Sequence, residues 1–312
     1  MINYNKFQKK NKIIIYNKKK FFNNESVFWL IFIKVKSFLK GVIFFLYEIL
    51  SETSTYLKLF RIKGINRKKE VLIIAGGPSS NKLNLKDLIK FQKKNDIIFV
   101  NNFFLNKKYK KIIPNYQVIS DPSTLKIKKN QWKPSTRKIS QIQKFKKFIL
   151  KNENIKIFAP IHQVKKIIGL TSRDNIFGFC DSDLSYIYNS TLPIFPRGYI
   201  SCTTYKAISI ASWMGYKKQY IIGLDNSYAN DLRTSSKNEV FLLERHNYER
   251  DVLYDYTNCY GDFSDYVYEF ARLLNHLKRL TTNKMIYNLD HFSYTPGLKK
   301  ITTKKFKINK LF

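Results

Sequence analysis

The sequence predicts an α/β protein built on one Rossmann-like domain, a mainly parallel sheet flanked by helices. Short apolar runs recur along the chain, each ends at a small or polar residue, and helical patterns stand between several of them. With 312 residues, of which 44% are hydrophobic, the chain can bury a sizeable core. We place this domain at residues 69–312, after the polar run 63–70, and treat residues 1–68 as a basic, partly helical extension.

The predicted elements alternate between strand and helix. The first strand covers residues 71–75 and leads through a Gly-Gly-Pro turn to a helix over residues 85–94. Further strands are predicted at 96–100, 117–120, 155–158, 219–225 and 284–288. One further helix is predicted at 203–215, and another ends with residues 273–280. Strands that alternate with helices imply a parallel sheet with helices on both faces.

The N-terminal extension combines positive charge with apolar residues. Residues 1–20 contain seven lysines and no acid, and residues 26–51 are strongly apolar but include Lys34, Lys36, Lys40 and Glu48. Lysines near the middle of a spanning helix are costly, so we predict no transmembrane helix here. Because a helical wheel gathers two of the lysines on one side, the pattern fits a helix lying in a membrane interface. It fits equally well a helix packed on its own domain.

The charge of the whole chain points to an anionic partner. Lys and Arg number 57 against 22 Asp and Glu, a formal net charge of +35, and residues 298–312 add six lysines and no acid. Lysine, asparagine and isoleucine are enriched together, and no zinc-finger, RNP or basic-zipper pattern occurs, so we expect an anionic membrane surface rather than nucleic acid. The sequence leaves a homo-oligomer open.

Cysteine usage predicts a reducing compartment. Cys180, Cys202 and Cys259 stand far apart and form no CxxC pair, which argues against a disulfide framework and a structural zinc site. We expect a cytoplasmic protein, peripheral at the inner face of the membrane.

Small and polar residues follow the predicted strands, where ligands bind in open parallel sheets. A Gly-Gly turn after the first strand would let backbone N–H groups face a phosphate or ribose. The strand ends carry Gly76, Gly77, Pro78 and Ser79, then Asn101 and Asn102, then Asp121, and finally Gly223, Asp225 and Asn226.

Four segments resemble glycosyltransferase family 42, the bacterial sialyltransferases that use CMP-sialic acid. They read VLIIAGGPSSN, VNNFF, ISDPS and TTYKAISIASWMGYKKQYIIGLD, in order within residues 70–295. Rossmann-like polysaccharide and flagellar glycosylation proteins are similar, but less closely. The resemblance implies a GT-A-type fold with a lid at about residues 226–250. It also implies inverting, metal-free transfer of sialic acid or a related acidic sugar from a CMP-sugar donor to a cell-surface glycan of lipopolysaccharide or capsule, with no cofactor.

Site residues follow from the resemblance position by position. The nucleotide-sugar set is Gly76, Gly77, Pro78, Ser79, Asn101, Asn102, Asp121, Arg197, Ser201, Thr203, Gly223 and Asp225. Ser201 and Thr203 are alternatives for one position, the hydroxyl residue at the start of the helix. Two departures concern the donor. Gly76 replaces an asparagine that lies beside the donor phosphate in the family. Tyr228 follows Asp225 by three residues, where the family has a tyrosine after two.

A general base must take the proton of the acceptor hydroxyl, and histidine suits that role near neutral pH. His246 lies where the family places its catalytic histidine. Tyr228, Tyr248 and Arg245 would stabilise the departing phosphate. The other histidines are His276, expected to be structural, His162, expected in a loop, and His291, the second choice as base.

Two alternatives stay open. Asp181 and Asp183 form a DxD pair of the kind that holds Mg²⁺ or Mn²⁺ against a nucleotide diphosphate, which would indicate a metal-dependent transferase on the same scaffold. The same residues also fit a helix N-cap. The other alternative is a non-catalytic basic protein that binds membrane or polyanion through its lysine-rich ends.

Overall fold

The computed structural model describes residues 13–14, 27–120, 136–181, 190–196, 202–226, 231–237, 239–244, 252–255, 263–291 and 293–301. Within them the α-helices are α1 (Val27–Ser51), α2 (Thr53–Arg61), α3 (Leu85–Gln92), α4 (Thr136–Lys151), α5 (Thr203–Trp213) and α6 (Phe263–Thr281). The strands are β1 (Ile13–Ile14), β2 (Glu70–Ile74), β3 (Asp96–Val100), β4 (Tyr116–Val118), β5 (Lys156–Pro160), β6 (Ile176–Phe179), β7 (Lys218–Ile222), β8 (Leu232–Thr234), β9 (Val240–Glu244), β10 (Val252–Asp255), β11 (Ile286–Asn288) and β12 (Lys299–Lys300).

The main sheet has eight strands in the order β12-β11-β7-β2-β3-β4-β5-β6, and every neighbouring pair is parallel. From β2 the chain builds outward strand by strand to β6. It then crosses back, so that β7 pairs with the other side of β2. This change of direction is a topological switch point, and in open parallel sheets ligands bind beyond the carboxyl ends of the strands at such a point.

Helices cover both faces of the sheet because its central strands are apolar on both sides. Val71 and Ile73 of β2 face one core, which α2, α5 and α6 complete, and Leu72 and Ile74 face another, which α3 completes. Helix α4 closes a third cluster over β5 on the face that α3 covers. Successive strand residues point to opposite faces, so a continuous apolar run fills two cores at once.

The predicted fold class is confirmed: this is an α/β protein with a parallel sheet. The predicted strands near residues 71, 96, 117, 155, 219 and 284 are all present, and the predicted helix over 273–280 is the second half of α6. Strand β6 and helix α4 were not predicted, nor was the separate sheet β1-β10-β9-β8. Two strands of that sheet, β8 and β9, lie in the range assigned to the lid.

The predicted extension contributes to the core. Tyr56 and Leu59 of α2 are buried among the sheet residues, and the Trp213 indole N–H donates to the Leu59 carbonyl at 2.6 Å. The boundary near residue 68 remains a prediction, but α2 lies within the packed domain. In the described part of the chain, no helix has the length and apolar character needed to span a membrane.

Candidate functional site

Two tight turns meet at the switch point, where β2 and β7 end. The Gly77 N–H donates to the Gly223 carbonyl at 3.0 Å, which ties one turn to the other. Gly223 has a φ of +79°, and a Cβ there would lie 2.2 Å from the Ala75 oxygen. A Cβ on Gly77 would lie 2.5 Å from the Gly223 oxygen. Only glycine lets the two turns approach this closely.

Asp225 fastens the first turn to the end of β7. Its Oδ2 accepts from the Ser79 N–H at 3.0 Å, and its Oδ1 accepts a short bond from the Ser79 hydroxyl. The Gly223 N–H donates to that same hydroxyl oxygen at 3.0 Å. Burial raises the pKa of the Asp225 carboxyl, as does nearby Asp290, while the bonds from Ser79 and the charge of Lys82 act in the opposite direction.

This geometry changes the role expected of the Gly-Gly turn. The sequence suggests that its N–H groups face a phosphate, but those of Gly77 and Ser79 donate to Gly223 and Asp225, and Pro78 has none. These two N–H groups therefore hold the turn against the end of β7. In the same way Asp225, predicted to contact the nucleotide, uses both oxygens to hold Ser79.

A second polar cluster joins the ends of β3 and β4 to the start of α5. The Asn101 amide donates to Thr203 Oγ1 at 2.9 Å, and the Ser120 and Thr203 hydroxyls lie 2.6 Å apart. The Asn101 carbonyl accepts from Gln117 at 2.8 Å. Asn101 has a φ of +47°, a left-handed conformation that asparagine tolerates better than most residues. Asn101 and Thr203, both predicted site residues, are thus brought together.

Three buried amide oxygens at this edge lack a hydrogen-bond partner among the described residues. They belong to Asn102 after β3, Gln163 after β5 and Asn226 after β7. The Asn226 amide nitrogen, by contrast, is within 3.0 Å of the Tyr294 carbonyl. An unpaired buried acceptor costs about 1–3 kcal/mol, and a ligand that donates to it would remove that cost.

Beside this edge lies a charged network that the sequence did not predict. His162 Nδ1 lies 2.7 Å from Oε1 of Glu48, a fully buried residue of α1. The other Glu48 oxygen accepts from the Asp181 N–H at 3.4 Å, and the Asp181 carboxylate pairs with Lys206 of α5 at 2.7 Å. One signal was available in the sequence: Glu48 is the only acid in the apolar helix.

The remaining histidines differ in environment. His276 is buried and stacks on Tyr205 with ring centroids 6.3 Å apart, which agrees with the structural role expected of it. His291 is exposed. Several predicted site residues lie outside the described part of the chain, namely Asp121, Arg197, Ser201, Tyr228, Arg245, His246 and Tyr248.

The DxD motif is described only at its first residue, because Asp183 lies outside the described ranges. The Asp181 carboxylate is neutralised by Lys206. Across the described residues, no three His, Cys, Asp or Glu side chains are grouped so as to hold a metal ion.

Three kinds of comparison with known proteins were informative only to a small degree. No protein-family model matches the chain, and no curated protein matches it. One similar solved structure is the MAf glycosyltransferase from Magnetospirillum magneticum AMB-1, with a TM-score of 0.46 and 13% identity over 77% of this chain. The matched region covers 34% of that protein, so the chain spans about a third of its length. The proposed function therefore depends on the geometry of the switch point and on the resemblance of the sequence to family 42.

Proposed function

We propose that this protein is a glycosyltransferase that binds a nucleotide-activated sugar in the crevice between β2 and β7. The observation that carries the proposal is the switch point itself. Two glycine turns lie in close contact there, and buried amide oxygens that no described residue satisfies stand at the neighbouring strand ends. Open parallel sheets bind ligands at this position, and a nucleotide supplies the missing donors through its amino and hydroxyl groups.

The proposed donor is CMP-sialic acid or a related CMP-activated acidic sugar, as the family resemblance implies. Asn102 and Asn226 would accept hydrogen bonds from the cytosine amino group or the ribose hydroxyls. Asn101 and Asp225 would not contact the nucleotide directly. They would hold Thr203 and Ser79 in place beside it, because their polar atoms already bond to these two residues. Gly76 gives the nucleotide close access to the backbone.

In the proposed reaction the acceptor hydroxyl oxygen forms a bond to the anomeric carbon of the sugar as the bond from that carbon to the phosphate oxygen breaks. His246 takes the hydroxyl proton, and CMP leaves with the bonding electron pair. Phenol groups of Tyr228 and Tyr248 and the guanidinium of Arg245 would stabilise the departing phosphate. The configuration inverts, and the acceptor is a glycan of the cell surface.

One contact favours a metal-free reaction over a metal-dependent one that uses the DxD pair. Asp181 is already paired with Lys206 at 2.7 Å, and a metal ion would have to displace that ammonium group. Glu48 further fixes the Asp181 backbone. Transfer in the presence of EDTA is therefore expected.

The proposal is tested by measuring nucleotide release from CMP-sialic acid and from a panel of UDP- and GDP-sugars, in EDTA and in added Mg²⁺ or Mn²⁺. We expect CMP release that persists in EDTA. His246→Ala should lower the rate by roughly 10²–10⁴-fold. His291→Ala removes the second-choice base, an exposed histidine, and should leave the rate unchanged. A rate that falls with His291→Ala but not with His246→Ala would assign the base to His291 instead. Turnover of a diphosphate sugar alone, and only with metal, would overturn the donor and the base together.

A further inference from the structure

Helix α1 exposes a continuous apolar surface. Eight apolar residues along it are at least about half exposed, and the largest values are 66% for Ile43 and 79% for Leu50. The other six are Ile31, Phe32, Val35, Leu39, Leu46 and Tyr47. We call these eight residues the α1 face. Isolated exposed apolar residues are ordinary, but a contiguous patch on one helix marks an interaction surface.

The α1 face has a defined orientation on the helix. At 100° per residue, seven of its members fall within an arc of about 120°, and Tyr47 lies beyond its edge. The opposite side carries the buried residues Gly41 and Glu48, which turn toward the domain. Lys36 and Lys40 are exposed and project beside Tyr47, at the border of the apolar arc. The helix therefore has one side for the domain and another for a partner.

Charge identifies the partner. Glu48 is the only acid in α1, and it is fully buried against His162, so the exposed side of the helix carries lysine and no carboxylate. An apolar arc bordered by lysines fits an anionic lipid surface: the side chains enter the acyl boundary while the ammonium groups meet the headgroups. A second copy of the chain suits this face less well, because each copy has a net charge of +35.

We propose that the α1 face binds the surface of an anionic lipid bilayer, with the helix lying in the plane of the interface. This inference is independent of the proposed reaction, since it depends only on the exposure and charge of α1. In α2, the helix that follows α1 in the chain, Leu57 and Phe60 are also exposed.

The test uses the full chain in sedimentation with vesicles of phosphatidylcholine alone or mixed with phosphatidylglycerol. The key variant is Leu39→Ser/Ile43→Ser/Leu46→Ser. The control is Ile89→Ser/Ile113→Ser/Leu150→Ser, which removes three comparably exposed apolar residues from other parts of the molecule. A separate variant, Lys36→Gln/Lys40→Gln, tests the charge. Circular dichroism and thermal unfolding confirm that each variant folds.

We expect the wild type and the control to bind the mixed vesicles alike, and the α1 variant to bind at least about tenfold less. Loss of the two lysines should weaken binding by about fivefold per lysine, and more salt should reduce that difference. Undiminished binding by the α1 variant would overturn the proposal. So would a wild-type dimer in light scattering that the α1 variant converts to monomer, because the face would then cover a second copy.

Discussion

Gly223 lies at the closest approach of β2 and β7, where the crevice begins. Its φ of +79° disfavours any side chain, and so does the Ala75 oxygen, which would lie 2.2 Å from a Cβ at this position. We predict that Gly223→Ala lowers the free energy of unfolding by about 2–5 kcal/mol, the sum of backbone strain and overpacking.

Gly169→Ala is the matched control for that prediction. Gly169 also has a positive φ, +93°, but a Cβ there would meet nothing within 4 Å. Gly169→Ala should therefore lower the free energy of unfolding only by the backbone strain, about 1–2 kcal/mol. Urea unfolding of both variants measures the difference, and equal losses would contradict the close packing of the two turns.

Asp225 gives a prediction about pH. Burial raises the pKa of its carboxyl in the folded chain, so the folded state holds the proton more tightly than the unfolded state does. Its contribution to stability is therefore complete below the unfolded pKa and is lost as pH rises through the folded pKa. Asparagine does not titrate. The free energy of unfolding of wild type minus that of Asp225→Asn should fall as pH rises from about 4 to 7.

Urea unfolding at several pH values in that range tests this prediction. A difference that stays constant, or that grows with pH, would show that the hydrogen bonds from Ser79 outweigh the effect of burial.

The residues at the strand ends could be read from the sequence, but their contacts could not. The apolar runs predicted where Asn101 and Asn102 fall, directly after β3. The bond from Asn101 to Thr203 depends on how α5 is placed, and that follows from tertiary packing rather than local pattern. For the same reason the sequence could not show that the Asn102 amide oxygen is buried and accepts no hydrogen bond from any described residue.

Helix α1 is anchored to the domain through Glu48. Its buried carboxyl accepts from the Asp181 N–H and lies 2.7 Å from His162, so Glu48→Ala would remove the partner of two partly buried polar groups and leave a cavity. We predict a loss of about 2–4 kcal/mol in the free energy of unfolding. Asp174→Ala is the control, since that side chain is 93% exposed in its pair with Lys58 and its removal should change stability little. Similar losses in both variants would contradict the anchoring role.

At the scale of elements, apolar runs predicted most strands of the main sheet and missed β6 and the amphipathic helix α4. Strands β2 and β3 are nearly continuous apolar runs, which makes them easy to recognise. Strand β6 reads Ile-Phe-Gly-Phe, and a Cβ on its glycine, Gly178, would lie 2.9 Å from the hydroxyl oxygen of Thr55 in α2. Glycine is needed in β6 because of a helix far earlier in the chain, so nothing in the sequence around Gly178 identifies this segment as a strand.

For the whole molecule, charge and topology have separate consequences. The parallel sheet sets where a ligand binds, and the net charge of +35 sets how anionic molecules approach. We predict that CMP binding weakens as NaCl is raised from about 50 to 500 mM, because added salt screens the attraction. Calorimetric titration measures the change, with cytidine, which lacks the phosphate, as the uncharged control. Equal salt dependence for CMP and cytidine would contradict an electrostatic contribution.

The central claim is that a nucleotide binds at the switch point between β2 and β7, and hydrogen–deuterium exchange with and without CMP tests it most directly. We predict that CMP slows exchange in residues 75–82, 101–106 and 222–226, while residues 85–92 of α3 exchange at an unchanged rate. Protection confined to other parts of the chain, or no protection at a CMP concentration that saturates binding, would contradict the claim.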